Sequence, residues 1–341
     1  MKLQSADING IRNIIEKHQV FAITTHTNPD GDAVGSTIAL ASILQQLNKD
    51  VQVIMPNDCP AFLKWIGGYE NILLFDKHNK QAKEFLNKAD VIFCLDYNNP
   101  SRLETMGDII IKNNKPLILI DHHPEPICDA SFMISETKAC STAELVYRTI
   151  RSLELDHLIT KNIASALYTG IITDTGGLIH NSGNPELYVI VAKLMEYGID
   201  KDYIHDQIFN VYSYERMKLM GLVLKDNFEF FPEYNAAYMY ISLENQKAHN
   251  FQLGDSEGLV NLPLSVKEIT FCALFTEYAN NMIKVSFRSK RDFPANQFSA
   301  DFFNGGGHLN AAGGRIESSL SEAISVFKKG LKTYKTLLNK S

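Results

Sequence analysis

The stretch His26-Thr27-Asn28-Pro29-Asp30-Gly31-Asp32-Ala33-Val34-Gly35-Ser36 gathers an imidazole and two carboxylates directly after the apolar run Val20-Phe21-Ala22-Ile23-Thr24-Thr25. Pro29 and Gly31 favour a turn, so these side chains can fold toward a common point at the carboxyl end of a strand. A mixed nitrogen and oxygen set of this kind is metal-site chemistry. The plainer reading is that Asp30 and Asp32 only cap the helix that follows. Asp96 ends a second apolar run, Val91-Ile92-Phe93-Cys94-Leu95, and Asp121-His122-His123-Pro124 follows a third, Leu117-Ile118-Leu119-Ile120. Three ionisable side chains in succession are expensive to bury unpaired, and adjacent imidazoles are uncommon outside metal or proton-transfer sites. Taken alone, Asp96 reads as a cap or as part of a turn with Asn98-Asn99-Pro100, and Asp174 as a helix-end residue. Together with the other stretches they supply further carboxylates.

The elements that must position these residues follow from apolar spacing. Ile8, Ile11, Ile14 and Ile15 recur at helical spacing before the first strand, and Ile38, Leu40, Ala41, Leu44 and Leu47 do so after the ligand loop. A further apolar run lies at Val51-Gln52-Val53-Ile54-Met55. Continuous apolar strands alternating with helices indicate a parallel sheet covered on both faces, and ligands collect at the carboxyl ends of such strands near a reversal of strand order. Ser141-Thr142-Ala143-Glu144 reads as a capping box. A helix from about Thr160 reaches Asp174, Asn184-Pro185 opens another that closes at Gly198, and a further helical stretch runs from about Tyr203 to Leu224. The pattern then changes to period two, as in Ala236–Ile241 and Ile283–Arg288, so a second domain with a mostly half-buried sheet is expected. Leu320 to Leu338 is a lysine-rich amphipathic helix whose lysines read as a solvated face.

With 341 residues the chain is long enough for two domains, and 45% hydrophobic with 21% charged residues is ordinary globular composition. The expected division is a first domain over 1–185 that carries the candidate metal ligands, a helical connection over 186–227 and a second domain over 228–341. A net charge of −6 argues against a generally basic nucleic-acid coat, so an anionic substrate must be held locally. Five cysteines without a CxxC pair suit neither a disulfide framework nor a cysteine zinc site. The start of the chain lacks the apolar core of a signal peptide and no run approaches membrane-spanning length, so a cytoplasmic location without membrane contact is expected.

Near the end, Gly305-Gly306-Gly307-His308 can bring backbone N–H groups close to an anion, with His308 adding a donor or a stacking ring. The plainer reading is a tight turn.

His26 through Ala33, the isolated Asp96, Asp121-His122-His123 and Asp174 resemble, in order and placement, the four motifs of the DHH phosphoesterase superfamily. Gly305-Gly306-Gly307-His308-Leu309-Asn310-Ala311-Ala312-Gly313-Gly314 is similar to the signature of its DHHA1 accessory domain. The resemblance covers nearly the whole chain, and within the superfamily it points to the nanoRNase and pAp-phosphatase group, the NrnA-type oligoribonucleases. It implies an α/β fold: a parallel-sheet DHH domain with helices on both faces, a smaller mixed α/β DHHA1 domain, and an active site in the cleft between them. One divalent metal would be held by His26, Asp30 and Asp96, a second by Asp32, Asp96, His122 and Asp174, with Asp96 bridging. Nitrogen among the oxygen ligands favours manganese over magnesium or calcium. Two such metals would activate a water for in-line attack on a phosphoryl group. His123 would contact the phosphate or protonate the leaving oxygen. Arg288, with Gly306, Gly307 and His308, would clamp the substrate, and Arg102 is a weaker candidate near the metals.

The expected function is therefore hydrolysis of short RNA oligonucleotides and 3′-phosphoadenosine 5′-phosphate. A cyclic- or linear-dinucleotide phosphodiesterase is the nearest alternative, and a nucleic-acid-binding module without turnover is the alternative from another class. The pyrophosphatase relatives have a different C-terminal domain, and long-strand exonucleases of the RecJ type carry extra modules. The sequence leaves open a homodimer and the role of His180, which stands where family members carry an aromatic and then a basic residue. Phe231, Tyr234, Tyr238 and Tyr240 could stack on bases, but at strand spacing they read more readily as core.

Overall fold

The structure is a computed structural model describing residues 3–252, 254–279 and 281–339. It divides into two compact units, Met1–Val211 and Tyr212–Ser341.

In the first unit the elements run α1 (Ser5–Lys17), β1 (Val20–Thr24), α2 (Gly31–Gln46), β2 (Asp50–Met55), β3 (Leu73–Leu74), α3 (Asn79–Lys88), β4 (Val91–Leu95), α4 (Thr105–Lys112), β5 (Leu117–Asp121), β6 (Phe132–Ser135), α5 (Thr142–Ser152), α6 (Lys161–Asp174), α7 (Pro185–Glu196) and α8 (Lys201–Phe209). The strands form one parallel sheet in the order β3-β2-β1-β4-β5-β6. Every residue of β4 and β5 is buried, which is why these runs are apolar without alternation. Phe21, Ile23, Phe93 and Leu95 turn to a core shared with α1, α2, α5, α6, α7 and α8, while Ala22, Ile92 and Cys94 turn to a second core under α3 and α4. The chain leaves β1 outward through β2 to β3 and then returns to β4 on the other side of β1. Strand order thus reverses between β1 and β4, where an open α/β sheet leaves a crevice for a ligand.

Helices α2 and α6 lie against each other closely enough that no side chain fits at their crossing. A Cβ on Gly35 would stand 2.3 Å from the Ala166 carbonyl oxygen, and one on Gly170 would stand 2.6 Å from the Ala143 Cβ of α5 and 2.9 Å from Asp32 Oδ1. This approach brings the first turn of α2 beside the last turn of α6.

The second unit contains α9 (Tyr214–Asp226), β7 (Phe228–Phe231), β8 (Ala236–Ile241), α10 (Leu243–Ala248), β9 (Phe271–Tyr278), β10 (Met282–Ser289), α11 (Ala295–Phe303), β11 (Gly306–His308), β12 (Ala311–Glu317) and α12 (Leu320–Leu338). Its sheet runs β11-β12-β10-β9-β8-β7, antiparallel except for the β8–β9 pair. Helices α11 and α12 bury Phe298, Phe303, Phe327 and Leu331 against one face, and Leu219, Val223, Leu259 and Val260 cover the other. The central strands β8 and β9 are therefore buried almost throughout rather than half-buried, whereas β10 and β12 keep an alternation.

Two further expectations change in the structure. The helical stretch expected from Tyr203 to Leu224 is broken at 210–213, where Ser213 accepts the Arg216 N–H and starts α9 afresh. The 186–227 connection is divided between the units: α7 and α8 pack on the core of the first unit that holds Phe21 and Phe93, whereas Leu219 and Val223 of α9 pack on the sheet of the second unit. Tyr238 is core, donating its hydroxyl to Glu229, and Phe231, Tyr234 and Tyr240 pack beside it. Four of the five cysteines are buried, Cys128 is half-buried, and all are free. Among the described residues no helix is long and apolar enough to cross a membrane.

Candidate metal centre

The loop after β1 serves two purposes at once. Asp30 is the N-cap of α2, and its Oδ1 accepts the N–H groups of Asp32 at 3.0 Å and Ala33 at 3.1 Å, as the plain capping reading requires. Its Oδ2 instead faces His26 Nε2 at 4.0 Å. His26 is buried, and its Nδ1–H donates to the Thr27 carbonyl at 2.9 Å, which leaves Nε2 as the lone-pair nitrogen. That nitrogen stands 3.3 Å from Asp96 Oδ2.

Asp96 follows β4 with a left-handed φ of +63°, a conformation that aspartate tolerates better than most residues and that turns its side chain off the strand line. Its second oxygen, Oδ1, lies 3.7 Å from His122 Nε2. His122 Nε2 is in turn 3.9 Å from Asp32 Oδ2 and 3.4 Å from Asp174 Oδ2. The six residues expected as ligands thus come together as two groups, His26 with Asp30 and Asp96, and Asp32 with His122 and Asp174. Within each, one ligand atom per residue lies within 4.8 Å of the others. Asp96 presents one oxygen to each group.

His123 stands beside them with its own support. Its Nδ1–H donates to Asp121 Oδ1 at 2.7 Å, and its Nε2 is 3.2 Å from Arg102 Nη1. Arg102 belongs to a 3₁₀ turn over Pro100–Leu103 and also approaches the Asp96 carbonyl at 3.5 Å, so it lies at the centre. The sequence reading missed the work of Asp121, although the residue heads the same triplet. It also missed α5. Ser141 does cap α5, its Oγ accepting the Glu144 N–H at 3.1 Å. The next two residues reach the acids: Thr142 N–H donates to Asp32 Oδ2 at 2.6 Å, Ala143 N–H to Asp32 Oδ1 at 2.8 Å, and the Thr142 hydroxyl to Asp96 Oδ1 at 3.0 Å. The signal in the sequence was the expected capping box, of which only the serine half forms, since the Glu144 carboxylate accepts the Cys140 N–H at 2.8 Å instead. His180 is exposed in the turn after α6, its N–H bonded to the Thr175 carbonyl.

The electrostatics call for a cation. Burial together with the charges of Asp96, Asp174 and Asp30 pushes the Asp32 carboxyl well above its ordinary range. Burial and the charges of Asp30 and Asp96 do the same to Asp174. Burial opposes ionisation of Asp96 too, but the hydrogen bond and charge of His26 and the charges of His123 and His122 outweigh it and hold its carboxyl below the ordinary range. For His26, burial disfavours the imidazolium, yet the Asp96 hydrogen bond and the Asp30 and Asp96 charges raise its affinity for a proton. Several carboxylates converge here with few positive groups, and the buried Asp121 Oδ2 meets no hydrogen-bond donor among the described residues. Oxygen and imidazole donors so arranged fit divalent cations, which would relieve the repulsion.

In the second unit, Arg288 pairs in register with Ala311 of β12, and Ala311 pairs with His308 of β11. Arg288 and His308 therefore stand on one cross-strand row two strands apart, roughly 10 Å at ordinary strand spacing. Gly306 and Gly307 lie in an edge strand, and Gly307 has φ +138° with its would-be Cβ 2.5 Å from the Ala311 carbonyl oxygen, so close hairpin packing demands glycine there.

Residues 20–171 match the DHH family, N-terminal domain, and residues 233–334 match the DHHA1 domain. The bifunctional oligoribonuclease and PAP phosphatase NrnA of Thermus thermophilus is 30% identical over 298 residues, 86% of this chain and 83% of that protein. The chain belongs to the DHH family. As a DHH phosphoesterase with a DHHA1 domain it is a phosphoester hydrolase. Its fold is shared by an exopolyphosphatase-related protein from Bacteroides fragilis, 42% identical with a TM-score of 0.96 over 99% of this chain and 98% of that one. RecJ of Thermus thermophilus, solved in complex with Mn2+, has the same fold at 12% identity, with a TM-score of 0.57 over 98% of this chain and 55% of that one.

Proposed function

We propose that this phosphoesterase hydrolyses short RNA oligonucleotides and 3′-phosphoadenosine 5′-phosphate at a two-cation centre. The observation that carries the reading is the placement of Asp96 Oδ2 toward His26 and Oδ1 toward His122, one carboxylate addressing both ligand groups. His26, Asp30 and Asp96 would hold one cation and Asp32, Asp96, His122 and Asp174 the other, with manganese the best match to the mixed donors. Bound cations supply Lewis-acid neutralisation of the phosphoryl charge and an acidic water as nucleophile.

The chain's own groups do the rest. Arg102, at the edge of the centre, donates to a non-bridging phosphoryl oxygen in the manner of a guanidinium fork. Asp121 accepts the His123 Nδ1–H and fixes the ring with Nε2 as the lone-pair nitrogen, so Nε2 is the atom that takes up a proton from solvent and, once the imidazolium has formed, passes it to the leaving oxygen. A recess of about 420 Å³ beside the metal loop, lined by Thr27, Asn28, Asn57, Phe75, Asn79 and Glu104 among others, is of a size that accepts a nucleoside. Arg288 and His308 would bind a phosphate or base of a nucleotide, the guanidinium as a fork and the imidazole as a donor or stacking ring. The named activity of the Thermus thermophilus relative supports the substrate class.

The test is turnover by purified protein with Mn2+ on diribonucleotides, longer RNA, 3′-phosphoadenosine 5′-phosphate, cyclic dinucleotides and short-chain polyphosphate. Fastest turnover of di- and trinucleotides with activity on the bisphosphate is expected. Exclusive turnover of cyclic dinucleotides or of polyphosphate would replace the substrate reading, and no turnover of any would sink it.

A further inference from the structure

We propose that Thr142 is a positioning residue whose hydroxyl sets the rotation of the shared carboxylate Asp96, an inference that rests on the two-cation reading. The hydroxyl has no task in its own helix. Ser141 already caps α5. A buried helical threonine ordinarily returns its hydroxyl to the carbonyl four residues earlier, as Thr149 does to Leu145 at 2.8 Å. At the first residue of α5 no such intrahelical carbonyl exists. Thr142 is fully buried all the same, and its Oγ1 donates across to Asp96 Oδ1 at 3.0 Å.

Asp96 reaches both ligand groups only in one orientation about its Cβ–Cγ bond, with Oδ2 3.3 Å from His26 Nε2 and Oδ1 3.7 Å from His122 Nε2. A donor fixed on Oδ1 occupies one lone pair, leaves another for a cation and opposes rotation. The same residue's N–H, with that of Ala143, grips both oxygens of Asp32. One dipeptide at the start of α5 therefore orients a carboxylate of the second group and the carboxylate common to both. Thr142 touches no reacting atom in this account and acts only through Asp96.

The experiment is Mn2+ titration of metal-free protein, following bound ion and the electron paramagnetic resonance signal of an exchange-coupled pair, for Thr142→Val, Thr142→Ser and Thr149→Val. Thr142→Val keeps the shape and the backbone N–H but not the hydroxyl. It should weaken one of the two equivalents about 10–100-fold, the usual effect of losing a group that orients a ligand, and abolish the coupled signal. Thr142→Ser should restore affinity to within about threefold of wild type, because the hydroxyl and not the methyl carries the effect. Thr149→Val loses a buried hydroxyl of the same helix and should keep both equivalents. If Thr142→Val does not fold, Thr142→Ala removes the same hydroxyl and carries the same expectation. Wild-type affinity and a coupled signal in the hydroxyl-free variant would overturn the inference, as would equal losses in Thr142→Val and Thr142→Ser. Wild-type protein binding fewer than two equivalents would instead overturn the two-cation reading, and this inference with it.

Discussion

Gly170→Ala is a change that helix propensity alone would favour, because glycine in a helix interior costs about 1 kcal/mol relative to alanine. The structure predicts the opposite sign. The new methyl would stand 2.6 Å from the Ala143 Cβ and 2.9 Å from Asp32 Oδ1, against ordinary carbon contacts of about 3.5–4.0 Å, so α5 and α6 must part by roughly 1 Å. Overpacking of that kind costs about 1–3 kcal/mol and exceeds the propensity gain. The displaced atoms are those that hold Asp32, and a misplacement of about 1 Å near reacting groups can cost about 10²-fold in rate. The assay is thermal unfolding of the metal-free protein beside Mn2+ affinity and turnover on a dinucleotide. Gly221→Ala is the internal control: nothing lies within 4 Å of a Cβ there, in the exposed face of α9, so it should stabilise by about 0.5–1 kcal/mol. A Gly170→Ala protein that gains stability and keeps wild-type metal affinity would refute the claim that helix approach positions the acids.

Asp96→Asn should lose both equivalents of metal and measurable turnover, whereas Asp30→Asn should impair mainly one; metal titration separates them. His123→Ala should slow turnover about 10²–10⁴-fold with metal occupancy near normal, while His122→Ala loses metal. Asp121→Asn should slow turnover about 10–100-fold by freeing the His123 ring, read as a change in kcat at saturating Mn2+. Metal-free stability should fall as pH rises from about 5 to 8: Asp32, Asp174 and His26 all hold protons more tightly folded than unfolded, so the native state binds the excess protons and loses that advantage as they leave. Saturating Mn2+ should remove or reverse the slope in the same melting series. Arg288→Ala and His308→Ala should each weaken di- and trinucleotide binding by about 1–3 kcal/mol while leaving a phenyl phosphodiester unaffected; equal losses on both substrates would place them in the chemical step.

How much of this was legible in the sequence depends on whether a feature is written locally. The strands of the first sheet were readable because burial on both faces makes them continuous apolar runs, and the acids and histidines stood out because each terminates such a run. The grouping of His26 with Asp96, and of Asp32 with His122 and Asp174, was not written in any spacing. It arises because strand order reverses between β1 and β4 and because Gly35 and Gly170 let two helices meet. Thr142 was hidden for the same reason: it reads as the filler residue after the cap Ser141 until the fold brings Asp96 to its hydroxyl. The double covering of β8 and β9 escaped because Ala236-Ala237-Tyr238-Met239 mixes small and polar-tipped residues that resemble an alternating face. Gly305-Gly306-Gly307 was ambiguous in a different way, since backbone freedom for an anion and backbone closeness in a hairpin require the same residue.

The central claim is that one carboxylate, Asp96, joins two cation sites into a single hydrolytic centre. It is tested most directly by adding Mn2+ stepwise to metal-free protein and measuring bound ion and dinucleotide hydrolysis in the same sample. The account predicts that turnover rises with the second equivalent and that Asp96→Asn shows neither full occupancy nor turnover. Hydrolysis that saturates at one equivalent, or that survives in Asp96→Asn with both ions bound, would contradict it.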